Sequence, residues 1–166
     1  MRSGNFACIA IKNDGTLWSW GYGAYGFTGH GDQVDRSSPV QVGSETNWSK
    51  IYTSNGSPAV AAIKTDGTLW TWGRNSYGQL GQNSGLDKYV PTQVGSGTDW
   101  TDVGLGENYM AAIRSNGTLW TCGRNSAGQL GLNLSGDVSS PTQVGTGTNW
   151  YQVAGGIDAC FAITRN

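Results

Sequence analysis

The chain repeats itself three times, and this repetition restricts its fold more than any other feature. "DGTLWSWGYGAYGFTG" at residues 14–29 returns as "DGTLWTWGRNSYGQLG" at 66–81 and as "NGTLWTCGRNSAGQLG" at 116–131. Gly15, Gly67 and Gly117 open the copies; Pro39, Pro91 and Pro141 follow, then Val42, Val94 and Val144, then Trp48, Trp100 and Trp150. The offsets are 52 and 50 residues, and the difference falls between Trp48 and Gly67, where "SNGSP" lengthens a loop. A period near fifty residues marks a propeller, solenoid or similar array, whose single repeat cannot bury its apolar face alone.

Within one copy the signals are those of short strands. In the middle copy "PAVAAIK" (58–64) leads to an Asp-Gly hairpin signal, and "TLWTW" (68–72) then alternates, placing Trp70 and Trp72 on one face. A glycine-rich connection runs to residue 89, "PTQV" (91–94) reads as a third strand with Pro at its first residue, and "DWTDV" (99–103) as a fourth. With 27 Gly and 8 Trp in 166 residues and no sustained 3.6-residue periodicity, helical arrays are disfavoured, and a parallel β-helix has a much shorter coil. The expectation is an all-β chain of β-propeller blades with four antiparallel strands each. It forms one domain, 1–166, with repeats at about 5–55, 56–105 and 106–155 and an extra strand in 156–166. Ala61, Ala62, Ala111 and Ala112 suit a crowded place such as the propeller axis.

Aromatic residues that recur at one slot per repeat suit packing between blades better than a ligand box, which needs a single arrangement. Cys122 takes the slot of Trp20 and Trp72, and Cys8 and Cys160 take that of Val60 and Met110, so each reads as a small buried hydrophobe. "GRNSYGQLG" lacks the Lys and Ser/Thr that close a phosphate-binding loop. The repeated Asp35, Asp87 and Asp137 read as turn-stabilising groups, because companion carboxylates for a metal are missing.

The block "DGTLWTWGRNSYGQLG…VPTQVG" resembles the repeat of the regulator of chromosome condensation family. That repeat carries a Gly-aromatic-Trp-Gly strand, then Asn-x-x-Gly-Gln-Leu-Gly, then a Pro-x-x-Val strand. The first copy departs from it at Tyr22-Gly23 and Phe27-Thr28. "GTLWTWG", "SSPTQVG" and "GTNW" are also similar to repeats of bacterial and bacteriophage structural proteins. The resemblance implies a propeller that binds other proteins, in a family whose rings usually have seven blades. The founding member's nucleotide-exchange activity is not carried over, because neither its basic segments nor an exchange loop is recognisable. The Gly-Trp-Arg-His-Thr motif of ultraviolet-sensing members does not occur here.

Net charge is −1 with 13% charged residues, so no basic face for nucleic acid and no polybasic membrane patch are expected. No apolar run is long enough to insert across a membrane, and residues 1–14 lack a signal-peptide pattern, which leaves virion, cell-surface and cytoplasmic locations open. With a single His no Ser-His-Asp set is found, no Cys-His pairing repeats or clusters by spacing, and the carboxylates are few and scattered. No catalytic, cofactor-binding or metal-ligating residue is nominated. The leading expectation is a non-catalytic protein-interaction or assembly module, such as a virion or cell-surface component. The alternatives are a carbohydrate-binding, lectin-like module and a fragment of a larger regulatory propeller.

Sequential antiparallel strands place the Asp/Asn-Gly hairpins and the turns 43–47, 95–99 and 145–149 on one side of the array. The long connections 21–38, 73–90 and 123–140 lie on the other. Function in repeat folds sits on variable loops, which nominates Tyr22, Tyr25, His30, Arg36, Arg74, Tyr77, Lys88, Tyr89 and Arg124 for partner binding. Arg74 and Arg124 share a slot and compete with a structural role on backbone carbonyls; His30 competes with a solvated loop residue. Ile157, Cys160, Phe161 and Ile163 mark an assembly strand, since 4–14 matches 156–166 and three blades are fewer than a ring needs. Either the chain is part of a longer propeller, or two copies close a six-bladed ring with 157–163 inserting into or replacing a neighbour's first strand, or another propeller-like protein supplies blades.

Overall fold

Each copy is built outward from a clasp at its hairpin. In the middle copy Asp66 Oδ1 accepts from the Thr68 N–H (3.0 Å) and Thr68 Oγ1 (2.6 Å), and Thr68 Oγ1 accepts from Trp70 Nε1 (2.8 Å). Asp14, Thr16 and Trp18 repeat this arrangement, as do Asn116, Thr118 and Trp120. One short polar side chain thus sets the turn and aims the first tryptophan of the following strand.

A computed structural model describes residues 7–54 and 56–165; residues 5 and 6 of the first repeat, residue 55 of the lengthened loop and residue 166 lie outside them. The strands are β1 Ala7–Ile11, β2 Leu17–Gly21, β3 Arg36–Gln41, β4 Trp48–Thr53, β5 Ala59–Lys64, β6 Leu69–Gly73 and β7 Lys88–Gln93. They continue as β8 Trp100–Leu105, β9 Tyr109–Arg114, β10 Leu119–Gly123, β11 Val138–Gln143, β12 Trp150–Gly155 and β13 Cys160–Thr164. All pairings are antiparallel, and the sheets run β1-β2-β3, β4-β5-β6-β7, β8-β9-β10-β11 and β12-β13. The all-β propeller architecture is as expected.

The grouping of strands into blades differs from the expectation by one strand. The Trp-led strand opens a blade instead of closing one, because it pairs with the Ala-rich strand after it: Trp48 faces Lys64, and Trp100 faces Arg114. Two whole blades are therefore flanked by a three-stranded sheet and a two-stranded one. β13 is accordingly partnered along one edge by β12, not unpartnered, and Ile157 precedes it. Pro91 falls inside β7 rather than at its start; it is tolerated because β7 is the edge strand of its sheet, with β6 as its one strand partner.

β4, β8 and β12 are the neighbouring inner strands. Lys50 Nζ donates to Thr101 O (2.7 Å), Tyr52 Oη to Asp102 Oδ1 (3.0 Å), and the Val153 N–H to Asp102 Oδ2 (2.9 Å). Ala61, Ala62, Ala111 and Ala112 lie one strand further out, fully buried between blades and not at the axis. One junction packs Leu17, Phe27, Val42, Trp48, Val60, Ala62 and Trp72, and the next packs Ala61, Ile63, Leu69, Val94, Trp100, Met110 and Cys122. Edge-to-face tryptophans stiffen both: Trp48 lies 5.9 Å from Trp70 and 6.3 Å from Trp72, and Trp100 6.4 Å from Trp120.

The long connections are ordered by their own polar side chains and wedge against the next blade. Asn75 donates to Ser84 O and Leu86 O, and its Oδ1 accepts from the Leu80 N–H. Leu80 is thereby buried beneath β6, where Thr71 Oγ1 holds its carbonyl at 2.8 Å. Across the two junctions Trp72 Nε1 donates to Phe27 O (3.0 Å), and Cys122 Sγ lies 3.7 Å from Gln79 O.

Candidate functional site

Asp35, Asp87 and Asp137 close the three long loops by accepting the N–H of Gly23, Asn75 and Asn125 at 2.7–2.9 Å. Each loop is therefore tied at its root to its own strand pair, and what it displays is displayed rigidly.

The displayed groups form a row of aromatic and cationic side chains that steps from blade to blade. The Arg74 guanidinium lies 5.4 Å from the centre of the Tyr25 ring, and Arg124 5.7 Å from that of Tyr77. Each arginine reaches back to the tyrosine of the preceding blade, so the two share a structural task, though on rings instead of backbone carbonyls. Tyr22 takes the slot of Arg74 in the first copy and stands exposed beside a shallow cleft shared with Asp35 and Arg36. Tyr25 is also exposed, with φ at 57°.

Four other nominated residues are drawn into the scaffold to differing degrees. His30 is half-buried rather than solvated, with Nε2 2.9 Å from Ser19 Oγ; burial first, then Arg36, holds its pKa below the usual histidine value. Gln82 holds the matching slot one blade on and donates to both Thr71 Oγ1 and Thr92 O, each at 2.9 Å. Arg36 grips Asp32 through two bonds of 2.9 Å and also donates to Val34 O. The hydrogen bonds from Arg36 hold the Asp32 carboxyl down at about 2. Tyr89 keeps its ring partly exposed, while its backbone packs on Gly26 and accepts the Gly31 N–H at 2.8 Å. Lys88 opens β7 opposite Gly73 and is half-buried.

On β13, Cys160 and Ala162 pack inward against Ala111, Ile113, Leu119 and Val153, while Phe161 and Ile163, with Ile157 before them, are exposed at 65%, 55% and 58%. Repeat alignment alone misses the cation held between tryptophans in each whole blade. Lys64 Nζ is 4.7 Å from the Trp48 ring and 3.8 Å from Trp70, and Arg114 is 4.5 Å from both Trp100 and Trp120. The signal was present as a basic residue at the end of every Ala-rich strand but the last: Lys12, Lys64, Arg114, then Thr164. Among the described residues, no group of three His, Cys, Asp or Glu side chains could hold a metal ion, and no helix is long and apolar enough to cross a membrane.

Matches to the regulator of chromosome condensation (RCC1) repeat cover residues 14–57, 66–113 and 116–163, most of the chain. The chain belongs to the RCC1 repeat family. Similar RCC1-type sequences include the human E3 ubiquitin-protein ligase HERC2, 37% identical over 90 residues, which is 52% of this chain and 2% of HERC2. The ultraviolet-B receptor UVR8 of Arabidopsis thaliana is 35% identical over 86 residues, 52% of this chain and 20% of the receptor. The chain thus spans a fifth or less of these relatives. In three dimensions it superposes on Prp20p of Saccharomyces cerevisiae with a TM-score of 0.81 at 20% identity, over 99% of this chain and 43% of Prp20p. Prp20p is described by its binding to Gsp1p and histones, and yeast Prp20 has been crystallised with Kap60. The repeats and the superposition show that this chain folds as part of an RCC1-type β-propeller.

Proposed function

We propose that this chain is a non-catalytic protein-interaction module that presents its long-loop face to a protein partner, on a ring completed by further blades. The observation that carries this reading is the row Tyr22, Tyr25, Arg74, Tyr77, Arg124. Tyrosine and arginine supply large contact area and are the residue types that dominate binding energy at interfaces. Here they sit on loops tied down by Asp35, Asp87 and Asp137, so little ordering is required on binding. Carbohydrate is a weaker reading, because three of the tryptophans that could stack on a sugar are buried between blades: Trp72 is 0%, Trp100 3% and Trp48 4% exposed. The missing blades come from a second copy, which makes an assembly of the six-bladed kind.

The test is affinity capture from an extract of the source organism, comparing the full chain with a Tyr22→Ala, Tyr25→Ala, Arg124→Ala variant by quantitative mass spectrometry. The expected result is a defined protein set held by the wild type and reduced about tenfold or more by the variant. Equal retention by both, or retention of glycans in place of proteins, overturns the reading.

A further inference from the structure

The two whole junctions between blades act as templates for a third that is only half made. At the first, Trp72 Nε1 bonds Phe27 O, the Gly31 N–H bonds Tyr89 O, and the loop at Gly26 lies against Tyr89. At the second, Cys122 meets Gln79 O, the Asn83 N–H bonds Ser139 O, and Gly78 lies against Ser139. The corresponding groups of the last long loop are Gln129, Asn133 and Gly128. A Cβ at Gly26 or Gly78 would come within 2.4 or 2.5 Å of the next blade, whereas one at Gly128 would meet nothing within 4 Å. Beside Gly128 an open groove of about 530 Å³ runs past Leu130, Val144, Trp150, Cys160 and Ala162.

The residues that would fill this groove are present at the other end of the same chain. Trp20 holds the slot of Trp72 and Cys122, yet it is only half-buried, with no blade packed on it among the described residues. Ser37 holds the slot of Tyr89 and Ser139. The sheet β12-β13 contains the first two strands of a blade, and β1-β2-β3 the last three. Joined head to tail they supply five strands for four places, and the duplicated place is that of β1 and β13.

Two observations decide which of the two is kept. The blades place a cation between the tryptophan that opens the blade and the one on its third strand, as with Lys64 and Arg114. In the shared blade these tryptophans are Trp150 and Trp18. Lys12, directly after β1, already stacks on Trp18 at 3.6 Å, while Thr164 of β13, the register partner of Trp150, carries no charge. Secondly, Ile9 and Ile11 of β1 already pack into the neighbouring junction, in the slots of Ala61 and Ile63. Phe161 occupies the Ala61 slot on β13, and its ring would overfill that junction.

We propose that two copies of this chain close head to tail into a six-bladed ring by strand exchange, with β1 of each copy replacing β13 of the other beside β12. This rests on the assembly part of the preceding reading and names its contacts: Trp20 of one copy enters the Gly128–Leu130 groove of the other, and Lys12 stacks between Trp18 and Trp150. β13 is then a placeholder that covers the edge of β12 until the second copy arrives. Heterologous contacts of this kind close when the rotation per copy is a half turn.

The three cysteines report the exchange. In the separate chain Cys8 is exposed, Cys160 half-buried and Cys122 buried. After exchange Cys8 takes the buried place of Val60 and Met110, and Cys160 is released with its strand. The experiment is light scattering of the purified full chain across a concentration series, with timed alkylation read by mass spectrometry. The expected result is a two-chain mass, with Cys8 slowed and Cys160 accelerated by about tenfold or more in the dimer, and Cys122 inert throughout. Trp20→Ala and Gly128→Ala, on opposite sides of the contact, each weaken the dimer by about tenfold or more while leaving the monomer folded by circular dichroism. Stopping the chain after Gly156 strengthens it, and Lys12→Thr weakens it. A monomer at every concentration overturns the proposal, as does a dimer that dissociates when β13 is removed or leaves Cys8 and Cys160 unchanged. Partner capture is read separately, so a monomer that still captures its partner through the long-loop face removes the exchange alone.

Discussion

Tyr52 donates its hydroxyl to Asp102 Oδ1 at 3.0 Å, while the other oxygen of the same carboxylate takes the Val153 N–H at 2.9 Å. One side chain therefore ties three neighbouring strands, β4, β8 and β12, of successive sheets. Burial first, then the Asp102 charge, pushes the Tyr52 phenol well above its ordinary range. Replacing the carboxylate strands a half-buried hydroxyl and a backbone donor. Asp102→Ala is expected to lower the unfolding free energy by about 1–3 kcal/mol, measured by urea denaturation. A change indistinguishable from zero would mean that water replaces the carboxylate at both partners.

That staple also shows what the sequence conveys and what it withholds. Slots that recur in all three copies, such as the Asp/Asn-Gly hairpins, the Gly-x-x-Gly turn of the long loop and Trp18, Trp70 and Trp120, are constrained by the same local physics each time and could be read from the sequence. The slot of Asp102 holds Lys50 and Gln152 in the other copies, so nothing in the repeat marked it. Blade phase was equally hidden, because a cyclic pattern of four strands looks the same wherever it is cut. Only the pairing of Trp48 with Lys64 and of Trp100 with Arg114 shows where a blade begins. Of the loop residues that vary between copies, Tyr22 and Tyr25 remain displayed. His30 and Arg36 instead do scaffold work, through bonds to Ser19 and Asp32 that link positions 11 and 4 residues apart. Contacts of that span are not encoded by repeat alignment.

Lys64 is 4% exposed, sits between Trp48 and Trp70, and reaches Glu45 Oε2 at 2.7 Å. A desolvated cation against two rings contributes about 2 kcal/mol. Lys64→Met keeps the apolar stem and removes the charge, so thermal unfolding should show a loss of about that size. Lys64→Arg should retain most of it, since Arg114 fills the same place in the next blade at 4.5 Å from each ring. Equal loss in both variants would assign the effect to Glu45 or to packing.

Burial pushes the Cys122 thiol up to about 12 from 9.0. A thiol that holds its proton more tightly when folded contributes stability that is whole below 9.0 and declines as pH climbs from there towards about 12. Alkylation of Cys122 at pH 8 should therefore follow the rate of unfolding, while the exposed Cys8 reacts at once. Cys122→Ala should flatten the alkaline decline in stability. Rapid labelling of Cys122 in native protein would show that the second junction opens locally.

The Asp32–Arg36 clamp gives the first blade an acid-sensitive loop. Hydrogen bonds from Arg36, then the Val34 N–H, hold the Asp32 carboxyl at about 2 against an ordinary 3.8. A carboxylate with a depressed folded pKa stabilises fully above its unfolded value and loses that contribution as pH falls through the folded one. His30, whose pKa is lowered chiefly by burial, adds a milder effect of the same sign as pH drops below 6.5. Amide signals of residues 31–36 should accordingly show a small step from His30 below pH 6.5 and a larger concerted one centred at about 2, the folded Asp32 value. Asp32→Asn should abolish the step at the lower pH and leave the one belonging to His30. If the step survives in Asp32→Asn, the acid response does not belong to the Asp32–Arg36 clamp.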